Sequence, residues 1–430
     1  MNLKIDDKLN QYMYDIIQKI IDTCGPRMPC SKQEFEAAQI IRDELSDRCD
    51  NVAMEEFWCH PRAFLGFIKI DIILVLLSFL LFFVSYIPIA AFWNQIAITM
   101  SLILMITALI IIWNEFFNYR EFIDPLFKKK KSTNVIGILK STEIHRKIVI
   151  FSGHHDSALQ FNLLKYMKIG YPIIIFLGLI IMLLWATFMI FTFILSILGI
   201  SFLFFSELLL TCIILFIIGI PAFVGLFFFV SFGEGANKVP GAVDNLSAIG
   251  IILGLMRFLS DNKEYIPPDV ELRFISFGCE EAGLRGAYRY VEAHEGEFRE
   301  YDVECINFDA IQSKDNISVI NFEPSTRTRH SLEMAQKVID AARQVNVPVK
   351  SNALGGSGIL EKIIGQITGG TDATAFSKAN IKATTITAMN LKAMMSFYHQ
   401  DSDTLDKIEK GSLENVLKIC IGLIQSYKNK

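Results

Sequence analysis

The sequence lacks several common signatures. Among its eight cysteines no pair has a CxxC spacing, and no internal repeat or low-complexity tract is present in the 430 residues. The cysteines, Cys24, Cys30, Cys49, Cys59, Cys212, Cys279, Cys305 and Cys420, are scattered and read as reduced thiols, not as a disulfide scaffold. No excess of one charge exists either. Lys and Arg total 41 against 45 Asp and Glu, a net charge of −4, so nothing points to nucleic acid as a partner. Charged residues make up 20% of the chain, below the roughly 25% usual in soluble domains. Hydrophobic residues make up 52%, which excludes disorder.

What the chain has instead is long apolar runs. Ile72–Asn114 carries no charge, and Ile169–Gly233 carries only Glu207. A membrane span needs about 20 apolar residues, while a 10–14-residue run suits a core helix. The runs therefore predict four spans, near Ile70–Ile87, Ile96–Phe116, Tyr171–Leu195 and Leu208–Phe232. Arg62, Lys69, Arg120, Lys128–Lys131, Lys165, Lys168 and Lys238 flank the runs, and the two connectors have no basic residue. By the positive-inside rule this predicts an integral membrane protein of the plasma membrane or its equivalent, with the lipid bilayer as a partner. Both termini and the polar segments are then cytoplasmic. Met1–Ile20 is charged and helix-like, unlike a secretory signal.

Both runs interrupt polar sequence, so each must hold an even number of spans. The division expected is a catalytic domain in three pieces, 1–64, 118–165 and 236–430, with transmembrane hairpins at 65–117 and 166–235. In the polar pieces, Val52–Trp58, Leu272–Phe277, Glu304–Phe308, Ile317–Phe322 and Ala383–Ala388 read as strands, and Asn134–Leu139 and Lys147–Ser152 as adjacent strands. Lys32–Leu45, capped by Ser31, and Ser247–Ser260, Gly286–Glu295, Arg329–Val345 and Leu413–Tyr427 read as helices. Gly355-Gly-Ser-Gly358 reads as a loop. The alternation predicts an α/β fold, a central mixed sheet flanked by helices and interrupted by two transmembrane helical hairpins.

Acidic and histidine residues collect where predicted strands end. They stand in Phe151-Ser-Gly-His-His-Asp156, Gly241-Ala-Val-Asp-Asn-Leu-Ser247, Phe277-Gly-Cys-Glu-Glu-Ala-Gly283, Ile306-Asn-Phe-Asp309 and Tyr398-His-Gln-Asp-Ser-Asp403. Each motif alone has an ordinary explanation, such as a surface pair or an N-cap. Together, imidazoles and carboxylates at the carboxyl ends of strands suit a hydrolytic zinc site.

With these five motifs in order, the sequence resembles the co-catalytic dizinc exopeptidases of the bacterial leucyl aminopeptidase and glutamate carboxypeptidase type, as a membrane-embedded member. The resemblance covers roughly 10–62, 132–160 and 236–428 and extends to Gly369–Phe376, with Ala373 a departure from the family's usual His. It implies two zinc ions (or another divalent metal), with Asp244 bridging them, His154 and Asp309 completing one site, and Glu281 and His399 the other. It implies Glu280 as general base and Asp156 as the group that orients His154, both counted as catalytic residues; His155 is not a ligand. The activity implied is hydrolysis of peptides by a metal-bound hydroxide, in an aminopeptidase rather than a carboxypeptidase. A glutaminyl-cyclase-like acyltransferase with one zinc, and an inert membrane receptor or scaffold on the same fold, are the alternatives. Oligomeric state is not legible.

Overall fold

A computed structural model of the chain describes residues 3–87, 91–200, 205–231, 233–354, 365–366 and 368–428. The Gly355–Gly358 run lies outside the described residues. The chain divides into two units: Met1–Pro61, Lys128–Gln160 and Phe232–Lys430 form one, and Arg62–Phe127 with Phe161–Ser231 form the other.

The first unit is built on a nine-stranded mixed sheet. Its strands are β1 (Asn51–Cys59), β2 (Lys130–Leu139), β3 (Lys147–His154), β4 (Val270–Phe277), β5 (Asp302–Ile311), β6 (Ile317–Glu323), β7 (Thr328–Arg329), β8 (Lys350–Ala353) and β9 (Lys382–Ala388). Their order is β1-β2-β4-β3-β5-β9-β6-β7, with β8 also paired to β6. The four central strands β4, β3, β5 and β9 run parallel. They are largely buried. β2 and β3 are not neighbours as predicted: β4 enters between them, antiparallel to β2 and parallel to β3. The short β7 and β8 have too few residues to leave a periodic signal.

Helices α1 (Asp7–Cys24) and α2 (Lys32–Ser46) precede the sheet in the chain. Ser31 caps α2 by accepting the Glu34 N–H. In the second unit, α3 (Ala63–Val84), α4 (Ala91–Glu115), α5 (Asn162–Met167), α6 (Gly170–Ile197) and α7 (Phe205–Phe227) make up the helices. Returning to the first unit, α8 (Ser247–Asp261), α9 (Arg285–Ala293), α10 (Glu295–Phe298), α11 (Leu332–Gln344), α12 (Ala373–Lys378), α13 (Leu391–Met394) and α14 (Ser412–Lys428) complete the described helices.

The second unit has its own core. Trp185 is buried; it stacks on Phe79 at 3.8 Å between ring centroids, and its indole N–H donates to Ser78 Oγ at 2.8 Å. Many other apolar side chains, Leu80, Ile103, Leu183 and Ile217 among them, are exposed. By length and composition, α3, α4, α6 and α7 are apolar enough to cross a membrane, but so is Ala242–Asp261, which is 89% buried in the first unit. Length and hydropathy therefore do not by themselves mark a span in this chain.

One contact fixes how closely α8 lies on the sheet. A Cβ at Gly153, on β3, would stand 2.5 Å from the Ala248 Cβ. Gly153→Ala must push α8 away or strain β3, an overpacking cost of about 1–3 kcal/mol. The thermal unfolding midpoint followed by circular dichroism is expected to fall by several degrees; an unchanged midpoint would contradict the close approach.

Candidate metal centre

The parallel strands deliver the polar residues to one edge of the sheet. His154 is the last residue of β3, Glu280 and Glu281 follow β4, Asp309 lies near the end of β5, and His399 follows β9. Asp244 sits in the segment leading into α8. This is the crevice at strand carboxyl ends where open α/β sheets bind ligands.

Five side chains meet there in two sets. His154, Asp244 and Asp309 offer ligand atoms within 4.8 Å of one another, and so do Asp244, Glu281 and His399. Asp244 belongs to both. Its Oδ1 lies 3.3 Å from His154 Nε2, and its Oδ2 lies 3.1 Å from His399 Nε2. Glu281 Oε1 lies 3.3 Å from His399 Nε2. Two donors each about 2.0–2.1 Å from a tetrahedral zinc stand about 3.3–3.4 Å apart. The observed separations match that edge, and the donors are the nitrogen and oxygen types zinc accepts. Glu281 Oε1 is moreover buried with no hydrogen bond, as a carboxylate oxygen awaiting a cation would be. The residues fit a pair of zinc ions, one per set.

Burial first, and then repulsion among the carboxylates, push Glu280, Glu281 and Asp309 well above the usual carboxylate range. Burial acts on Asp244 in the same direction, but hydrogen bonds from His154 and His399 outweigh it and hold that carboxyl down. Burial also opposes the charged form of His154, yet Glu280, Asp156 and Asp244 together raise it well above the ordinary imidazole. A pocket this rich in confined negative charge is compensated by divalent cations.

A second ring of residues sets the geometry. The buried Asp156 carboxylate accepts the backbone N–H of Glu280 at 3.1 Å and of Glu281 at 3.0 Å, and its Oδ1 lies 3.4 Å from His154 Nδ1. It thus ties the ends of β3 and β4 together. Asp403 does the same for Asp244: its two oxygens accept the N–H groups of Val243 at 2.8 Å and Asp244 at 3.1 Å. Asn245 straddles Asp309, donating to the Phe308 carbonyl at 2.9 Å and accepting the Ala310 N–H at 3.2 Å. A register shift between Asp309 and Ile311, with Ala310 at φ 54°, forms a bulge that turns Asp309 inward.

His155 stays apart, its Nδ1 2.7 Å from Ser276 Oγ and its pKa pushed down to about 4, chiefly by burial. Asp403 and Asp372 stand in the sequence motifs without a role assigned to them, and Arg27 stands in none. Asp372 is buried with neither oxygen hydrogen-bonded, and burial raises its pKa to about 7. Arg27, fully buried, donates from Nε to the His155 carbonyl at 2.9 Å and from Nη2 to the Gly241 carbonyl at 3.3 Å. A lone Arg in a Gly-Pro-Arg turn carries no local signal of that role.

Comparison with known proteins adds three findings. Residues 230–424, somewhat less than half of the chain, match the family described as Peptidase family M28. Aminopeptidase YwaD of Bacillus subtilis (strain 168) is 45% identical over 53 residues, which is 12% of this chain and 11% of that protein's own length. Among solved structures, BSAP, a zinc aminopeptidase from Bacillus subtilis, aligns with 97% of this chain and 95% of its own at a TM-score of 0.53 and 14% identity. A glutaminyl cyclase from Fimbriiglobus ruber aligns with 98% and 97% at 0.54 and 11%. Identities this low speak for the fold alone.

These findings correct the membrane reading of the sequence. The fold matched across nearly the whole chain is that of a mixed α/β sheet flanked by helices, in structures described as aminopeptidases and a glutaminyl cyclase. Length and mean hydropathy alone would also admit Ala242–Asp261, most of which is buried in the first unit. The membrane-embedded membership, the transmembrane character of the hairpins, the bilayer as partner, and the plasma-membrane location with a cytoplasmic catalytic domain are therefore withdrawn. The family segment and the two ligand sets together mark the protein as a metal-dependent peptidase with a two-metal centre.

Asp403→Asn tests the supporting ring. One face of the new amide would oppose a backbone N–H with an NH₂ group, loosening Asp244. Loss of such a support costs roughly 10–100-fold in metal affinity. Competition with a zinc chelator is expected to show that loss; wild-type zinc retention would make Asp403 dispensable.

Proposed function

We propose that the protein is an aminopeptidase in which two zinc ions would be held, one by His154, Asp244 and Asp309 and the other by Asp244, Glu281 and His399, with Glu280 as the general base. The observation that carries this reading is the Asp244 carboxylate set between two imidazoles, one on each oxygen. Two zinc ions so held supply a lowered pKa for water and a clamp on the scissile carbonyl oxygen. Glu280 belongs to neither ligand set, yet its Oε2 lies 3.8 Å from His154 Nε2. From there it takes a proton from the attacking water and passes it to the leaving amine. Asp156 is the positioning residue, since it holds the backbone of Glu280 and Glu281 and faces His154. The aminopeptidase description of two relatives supports removal of residues from the amino end.

Two experiments test this. Glu280→Gln keeps size and removes proton transfer; zinc content is expected to stay and turnover to fall roughly 10²-fold or more. Near-normal turnover would remove Glu280 from the chemistry. For the substrate end, mass spectrometry of digested short peptides should show stepwise loss of amino-terminal residues, abolished by N-acetylation and untouched by C-terminal amidation. Loss from the carboxyl end would overturn the aminopeptidase reading, and release of ammonia from amino-terminal Gln without shortening would favour cyclisation.

A further inference from the structure

A second cluster of ligand atoms lies outside the five-residue centre. Cys30, in the turn before α2, Cys59, the last residue of β1, and Cys279, just past β4, converge from widely separated parts of the sequence. Cys30 Sγ lies 3.3 Å from both Cys59 Sγ and Cys279 Sγ, and Cys59 and Cys279 are 3.4 Å apart. None of the three is in a disulfide. Cys59 and Cys279 are buried and Cys30 is partly open, so the triangle has an entrance on one side.

The triangle is braced. Buried Glu34 accepts the Cys30 N–H on Oε2 at 2.7 Å and the Cys279 N–H on Oε1 at 2.9 Å, and Ser132 Oγ donates to Oε1 at 2.9 Å. One carboxyl group therefore fixes the backbone of two of the three cysteines. Both Cys30 and Cys279 adopt positive φ, at 58° and 55°, a conformation non-glycine residues rarely take. Backbone held this way aims the side chains at a common point.

We propose that Cys30, Cys59 and Cys279 form a binding site for a soft monovalent cation of the Cu(I) class, separate from the carboxylate–imidazole centre. Sulfur ligands select soft cations, and among the described residues the grouped ligand atoms number three. Structural zinc takes four protein ligands, whereas Cu(I) is satisfied by three sulfurs in a plane. No electron is transferred on binding: copper remains Cu(I), and each cysteine that ligates as thiolate releases one proton to solvent.

The test uses the full chain loaded with zinc, under anaerobic conditions, with Cu(I) supplied as its bicinchoninate complex. One Cu(I) per chain is expected to transfer from the chelator, with a sulfur-to-copper absorption in the near ultraviolet and the zinc content unchanged. Cys59→Ala and the less buried Cys30→Ser should each weaken retention at least about tenfold while keeping zinc and peptidase activity, a loss that removal of a ligand predicts. Equal copper uptake by wild type and both variants, or copper gained only as zinc is lost, would overturn the proposal. Because zinc content and peptide cleavage are read separately, failure here leaves the peptidase reading standing, and the reverse holds as well.

Discussion

The site depends on one buried carboxylate shared by two imidazoles. Asp244 is only 4% exposed, so its charge must be compensated where it sits. His154 meets one oxygen and His399 the other. Everything else in the neighbourhood holds that arrangement. Asp403 grips the backbone under Asp244, Asn245 carries the hold across to β5 on either side of Asp309, and Asp156 links β3 to the turn after β4. The parallel strands end together at this point, so residues far apart in sequence arrive within hydrogen-bond range of each other. Glu280 is left as a carboxylate beside the metal ligands and outside both sets, which is the position a proton carrier needs.

Much of this was legible in the sequence because metal chemistry restricts residue type. His154, Glu281 and Asp309 stand in short motifs at the ends of strands, Asp244 at the start of a helix and His399 in the segment beyond β9, and the structure brings them into two overlapping sets. The supporting groups were legible only in part: Asp156 was expected behind His154, and Asp403 stood in a motif without a role. Asp403 and Arg27 act on backbone atoms, which any sequence supplies, so residue type does not announce the contact. The same holds for Glu34, whose helical position reads as ordinary N-terminal acid while its side chain braces two cysteines. Strand order was hidden for a related reason. Alternation shows that β2 and β3 are strands, but it does not show that β4, more than a hundred residues later, pairs between them.

The apolar hairpins mark where composition stops being decisive. Helices α3, α4, α6 and α7 and the buried Ala242–Asp261 helix are all long and apolar enough to cross a membrane, although the four are the more apolar, with mean hydropathies of 2.6–2.9 against 1.6, and burial depends on what packs against a helix rather than on the helix alone. Their own unit has a packed centre around Trp185, Phe79 and Ser78, together with many outward apolar side chains. Fold similarity over nearly the whole chain is to aminopeptidases and a glutaminyl cyclase, and it identifies the α/β framework without assigning the hairpins a task.

The most direct measurement of the central claim is anomalous scattering at the zinc absorption edge from crystals of the zinc-loaded protein. The account predicts two peaks flanking the Asp244 carboxylate, one beside His154 and Asp309 and the other beside Glu281 and His399. A single peak, or two peaks without Asp244 between them, would contradict it.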